Sequence, residues 1–144
     1  YFDQKLHLTE KIFKPIVSQR PFILVAAPGN LAYLKRYGFK TFDRWIDESY
    51  DNEPDPDRRI QMITTELEKL CKLSFSDLQD MHQEMKPILE HNFNHFYGDF
   101  KSIIVKEMMF NLGKCVDQIN NGNWRNPISL SQADLDRVTN LLLK

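Results

Sequence analysis

A chain of 144 residues, 42% hydrophobic and 12% aromatic, is long enough to bury a core and fits one domain or one half of a two-domain protein. Nineteen basic against twenty acidic residues give a formal charge of −1, which argues against a dedicated nucleic-acid surface, since such binders carry a basic excess or stripe. No apolar run approaches 18 residues, so no segment reads as a membrane span.

The chain opens at Tyr1 with a partly alternating stretch, Phe2, Leu6 and Leu8 among polar neighbours, and Leu6-His7-Leu8 reads as the end of a strand. Thr9 then suits a helix N-cap, and Ile12, Phe13, Ile16 and Val17 follow at helical spacing. Pro15 lacks the N–H that would bond the Lys11 carbonyl, so this helix is expected to be short or kinked. Residues 22–27 (FILVAA) form a continuous apolar run, the pattern of a strand buried on both faces of a parallel sheet. Pro28-Gly29 ends it, Asn30 suits a cap for a helix over residues 31–37, and Gly38 closes that helix. Phe39-Lys40-Thr41-Phe42 alternates like a short edge strand.

From Asp47 to Asp57 the chain is an acidic linker with two prolines, and Asp55-Pro56 has the form of a helix start. The rest reads as helical. Ile60, Ile63, Leu67, Leu70 and Cys71 make an apolar stripe; Ser74 or Ser76 caps a segment with Leu78, Met81 and Met85, interrupted by Pro87. A long Phe- and Met-rich segment over residues 88–118, with a break near Gly98, leads to a loop at Asn120-Asn121-Gly122-Asn123. Ser131 caps a last helix with Leu135, Val138 and Leu142. The expected fold class is therefore α/β: a small parallel-sheet, Rossmann-like unit over residues 1–50, then a mainly helical half over residues 51–144 packing on it as one domain. Cys71 and Cys115 lie far apart with no CxxC, and there is no Asn-x-Ser/Thr sequon and no visible signal peptide. Reduced thiols and a cytoplasmic location follow as expectations.

In an open parallel sheet, the turn at Thr9 and the turn at Pro28-Gly29-Asn30 both fall at the carboxyl edge, where ligands bind. A helix N-terminus offers unpaired N–H groups and a partial positive charge to a phosphate. Lys11 and Lys14, three residues apart, add full charges suited to a diphosphate, and Glu10 suits the hydroxyls of a ribose. The plainer alternative is that Glu10 complements the helix dipole, the lysines are solvated, and the Pro28-Gly29-Asn30 turn only joins two elements.

Thr9-Glu10-Lys11 before an apolar helix and a buried strand resembles the C-terminal, nucleotide-sugar half of GT-B glycosyltransferases of the fucosyltransferase type. The longer pattern TEKIFKPI, PFILVAAPGNLAYLKRYGFKTF, DESYD and DPDRR resembles poorly characterised glycosyltransferase-like proteins, many of them phage-encoded, over roughly residues 6–95. The resemblance implies that Glu10 contacts the ribose and Lys11 the phosphates of a GDP- or UDP-linked sugar, bound as substrate with no tightly held cofactor. A complete GT-B enzyme has two Rossmann-like domains, and the upstream glycine-rich and basic donor contacts are missing from this chain. The expectation is glycosyl transfer to a hydroxyl only with a second domain, or otherwise a non-catalytic, oligomeric interaction domain.

Other motifs carry less. Asp55-Pro56-Asp57 has the outline of a DxD metal motif but sits where a helix cap is expected. His91 and His95, at i and i+4, have the spacing of a metal pair without the rest of a ligand set, and no metal site is expected. No Ser/His/Asp or Cys/His order stands out, so no catalytic residue is assigned. Phe93, Phe96, Phe100, Met108, Met109 and Phe110 read as core, or as a docking face if exposed.

Overall fold

The computed structural model describes residues 6–122 and 131–143. Among them every regular element is helical: α1 (Glu10–Val17), α2 (Asn30–Arg36), a 3-10 turn (Glu48–Asn52), α3 (Pro56–Cys71), α4 (Phe75–Tyr97), α5 (Asp99–Asn121) and α6 (Gln132–Leu142). Phe2 and Asn123 lie outside the described residues. The chain divides into two compact units, Tyr1–Phe96 and Tyr97–Lys144.

The expected parallel sheet is absent among the described residues, which overturns the α/β class and with it the Rossmann-like, GT-B architecture. The physical reason lies in what satisfies the three stretches read as strands. At residues 39–42, side chains replace a neighbouring strand. The Asn92 carboxamide accepts from the Lys40 N–H and donates to the Lys40 carbonyl, both at 2.8 Å, and Glu48 accepts from the Phe42 N–H at 2.8 Å and the Thr41 hydroxyl at 2.7 Å. At residues 6–8, the His7 N–H goes to the Asn30 side chain at 3.2 Å. The apolar run at 22–27 is not buried on both faces: Phe22, Ile23 and Leu24 pack on helices and turns, while Val25 stands 62% exposed. Phe22 and Ile23 touch two core clusters, one of Phe42, Ile46, Met85 and Leu89, the other of Leu31, Tyr50 and Ile63. A continuous apolar run does not by itself supply the second strand a sheet needs.

Local signals set most helix ends. Asp55 accepts from the backbone N–H groups of Asp57 and Arg58 at 2.9 and 3.0 Å, so the DPD motif caps α3. Ser74 and Asp77 exchange a reciprocal pair of capping bonds at the start of α4. Pro87 sits inside α4 rather than interrupting it; Pro87 and Gln83, whose carbonyl it leaves unbonded, are both exposed. Gly98 does separate α4 from α5, whereas Asn120 and Asn121, expected in a loop, are the last residues of α5.

The buried face of α3 is not the expected stripe. Ile63 is buried, but Ile60 and Leu67 are about half exposed, while Arg59 and Glu66 are buried beside Ile63. The Glu66 carboxylate is matched, accepting from the Asp47 N–H at 3.1 Å and pairing with Lys69, whereas Arg59 is held through one nitrogen, which donates to the Glu53 carbonyl at 2.7 Å. In the second unit α5 buries Phe100, Val105, Met109 and Val116, and α6 packs on α5.

Candidate functional site

A cleft of about 410 Å³ in the first unit is built from three segments: the chain entering α1, the 24–30 stretch, and the first turn of α3. This is within the size range of small-molecule sites. Thr9, Lys11 and Asn30, three of the residues picked from sequence, line it. Glu10, Lys14, Pro28 and Gly29 do not, and Glu10 and Lys14 stand exposed. His7, Arg59 and Pro56, not picked from sequence, do line it. The walls are otherwise largely apolar, with Ile12, Leu24, Val25 and Ile60. No Asp or Glu is among the lining residues, so the permanent charges there, Lys11 and Arg59, are both positive.

The two helix N-termini differ. At α1 Thr9 is the N-cap, its hydroxyl accepting from the Lys11 N–H at a long 3.4 Å. At α2 the N-terminus is already occupied by an internal anion. The buried Asp51 carboxylate accepts from the N–H groups of Leu31 and Ala32, both at 3.0 Å, and its carbonyl accepts from the Gly29 N–H at 2.7 Å. A phosphate expected at that turn would have to displace a carboxylate held by charge-assisted hydrogen bonds. Gly29, with φ +79°, is the N-cap in place of Asn30 and needs a glycine's freedom. Its open side faces Leu6, since a Cβ there would lie 3.3 Å from Leu6 Cδ2. Asn30 is instead a brace, its amide donating to the Ala27 carbonyl at 2.8 Å while its oxygen accepts from His7.

Arg59 and Asp51 lacked a sequence signal of the type sought, because both sit where polarity reads as surface. The spacing of Arg59, Ile63 and Glu66, at i, i+4 and i+7, is the one trace of the face that α3 buries.

The histidine pair has a structural occupation. Nε2 of His91 lies 2.9 Å from the Gly38 carbonyl oxygen and Nε2 of His95 2.6 Å from that of Tyr37, with the rings stacked at 5.9 Å. They fasten the end of α2 to α4. Gly38 lies so close under His95 that a Cβ would come within 2.8 Å of its Nε2. Among the described residues no group of three or more His, Cys, Asp or Glu is arranged to hold a metal ion. No helix of the described residues is long and apolar enough to cross a membrane. A second hollow of about 470 Å³ lies along one face of α6 alone and encloses nothing.

No protein-family model, curated protein or solved structure matches the chain.

Proposed function

We propose that the first unit binds a nucleoside diphosphate, of the kind carried by a GDP- or UDP-linked sugar, in the cleft between the entry to α1, residues 24–30 and the start of α3. One observation carries this reading: two permanent cations and no carboxylate line a cleft whose other walls are largely apolar, in a chain whose overall charge is slightly negative. Apolar walls suit a base and the cations suit a diphosphate. Lys11 takes the role the sequence proposed for it. Glu10 does not face the cleft, so ribose recognition by that carboxylate is not part of the reading.

The role is binding. No carboxylate lines the cleft, His7 is a side chain there able to act as a general base, and glycosyl transfer is proposed only with a second domain that brings the acceptor. A second reading, as an oligomeric interaction domain, is favoured by α5. Ile104, Met108 and Leu112, four apart along one face, are all exposed.

Titration calorimetry with GDP and UDP tests the first reading. Saturable binding that Lys11→Ala weakens by roughly three- to tenfold is expected for an exposed charge contacting phosphate. A folded wild-type chain that binds neither nucleotide at millimolar concentration would remove it.

A further inference from the structure

We propose, building on the reading of this cleft as a ligand site, that Arg59 is its anion-holding residue, and that the group it takes is a phosphate or diphosphate whether or not a nucleoside is attached. Arg59 is only 8% exposed, and burial of a charge ordinarily requires an opposite one. Its Nη1 donates to two backbone carbonyls, Glu53 at 2.7 Å and Pro54 at 3.5 Å. Among the described residues it has no ion pair. Glu53, the acid nearest in sequence before the cap, gives its carboxylate to the exposed Arg58 at 3.3 Å and only its carbonyl to Arg59. Asp55 is committed to capping α3.

The carbonyls fix the guanidinium without neutralising it. Its Nε and Nη2 have no protein partner among the described residues, yet they are not sealed off. Among those residues the one fully enclosed side-chain nitrogen or oxygen without a hydrogen bond is His82 Nε2. The unused donors of Arg59 therefore reach accessible space, and Arg59 lines the cleft. A guanidinium anchored by one nitrogen, with the rest of its planar fork unused, is prepared for bidentate contact with an oxyanion. Lys11 adds a second cation and no Asp or Glu lines the cleft with them, which suits an anion of two or more charges over a single carboxylate.

The test is a ¹H–¹⁵N titration of the full chain with inorganic pyrophosphate, read at the Arg Nε–H resonances, with sodium acetate as the singly charged control. A saturable shift of the Arg59 signal with pyrophosphate, and none with acetate at equal ionic strength, is expected. Arg59→Gln should weaken pyrophosphate at least about tenfold, as loss of a charge-assisted hydrogen bond does. Arg58→Gln, at the neighbouring exposed arginine, should change it less than about twofold. An Arg59 signal unmoved by roughly 10 mM pyrophosphate, or moved equally by acetate, overturns the proposal, as does a folded Arg59→Gln chain that binds like wild type. If Arg59→Gln does not fold, the wild-type Arg59 signal decides. The nucleotide reading is separable. GDP and UDP binding no tighter than pyrophosphate, with the Arg59 shift present, would leave the anion site and remove the nucleoside; nucleotide binding unaffected by Arg59→Gln would do the reverse.

Discussion

Tyr50 is 2% exposed, joined to the 24 position by a backbone hydrogen bond, and packed with Leu31 and Ile63. Burial pushes its phenol up to about 12 from an ordinary 10.0; the nearby Glu48, Asp51 and Glu66 carboxylates add to the rise, and the hydrogen bond with the Leu24 backbone opposes it. Because the folded chain keeps this proton longer than the unfolded one, the contribution is complete below pH 10 and is lost as pH climbs toward 12. Denaturant titrations between these limits should show wild type losing about 2 kcal/mol more than Tyr50→Phe, which has no phenol to ionise. Parallel stability curves for the two proteins would contradict this. Asp51 makes a complementary point at the same scale. It was legible only as one acid in a run of acids, yet it is buried and holds the start of α2. Asp55, by contrast, caps α3 from the surface and is marked locally by the proline that follows it. The partners of Asp51 lie twenty residues upstream, and sequence spacing carries no record of that distance being closed.

Among elements, the helices were legible and the strands were not. Thr9, Asp55, Ser74 and Ser131 cap helices as local chemistry dictates, because a cap and its partners lie within three residues of one another. The stretches at 6–8, 22–27 and 39–42 have apolar patterns that a strand would share, but strand formation depends on a backbone partner elsewhere in the chain. At 39–42 that partner is a side chain from 52 residues away: Asn92 pairs with both polar backbone groups of Lys40. Asn92 is 1% exposed, so removing its carboxamide breaks both bonds and leaves a hole where the side chain was buried. Asn92→Ala should cost about 2–4 kcal/mol, and Asn92→Asp should also destabilise, since a carboxylate still accepts from the Lys40 N–H but cannot donate to its carbonyl. Equilibrium unfolding in urea measures both; a loss under about 0.5 kcal/mol for Asn92→Ala would show that the pairing does not hold the segment. On α3 the same limit applies in reverse, as the apolar stripe at Ile60 and Leu67 is exposed while the polar Arg59 and Glu66 are buried.

For the molecule as a whole, the expected convergence of two turns survives only in part, and without the sheet that motivated it. Thr9, Lys11 and Asn30 share a cleft because the 6–9 stretch is tied to α2 through the His7–Asn30 bond, while the first turn of α3 brings Arg59 to the same place. The Glu10 and Gly29 roles depended on a strand-turn-helix geometry that is not there. What remains is a positively charged, apolar-walled cleft composed of three sequence-distant segments, and its use as a nucleotide site is the central claim. The most direct measurement is a backbone ¹H–¹⁵N chemical-shift map of the full chain titrated with UDP and with GDP. Amides at residues 7–12, 24–27, 29–30 and 57–60 should move together with one dissociation constant, while those of α6 stay still. Shifts confined to another region, or none in these three segments at saturating nucleotide, would contradict that claim.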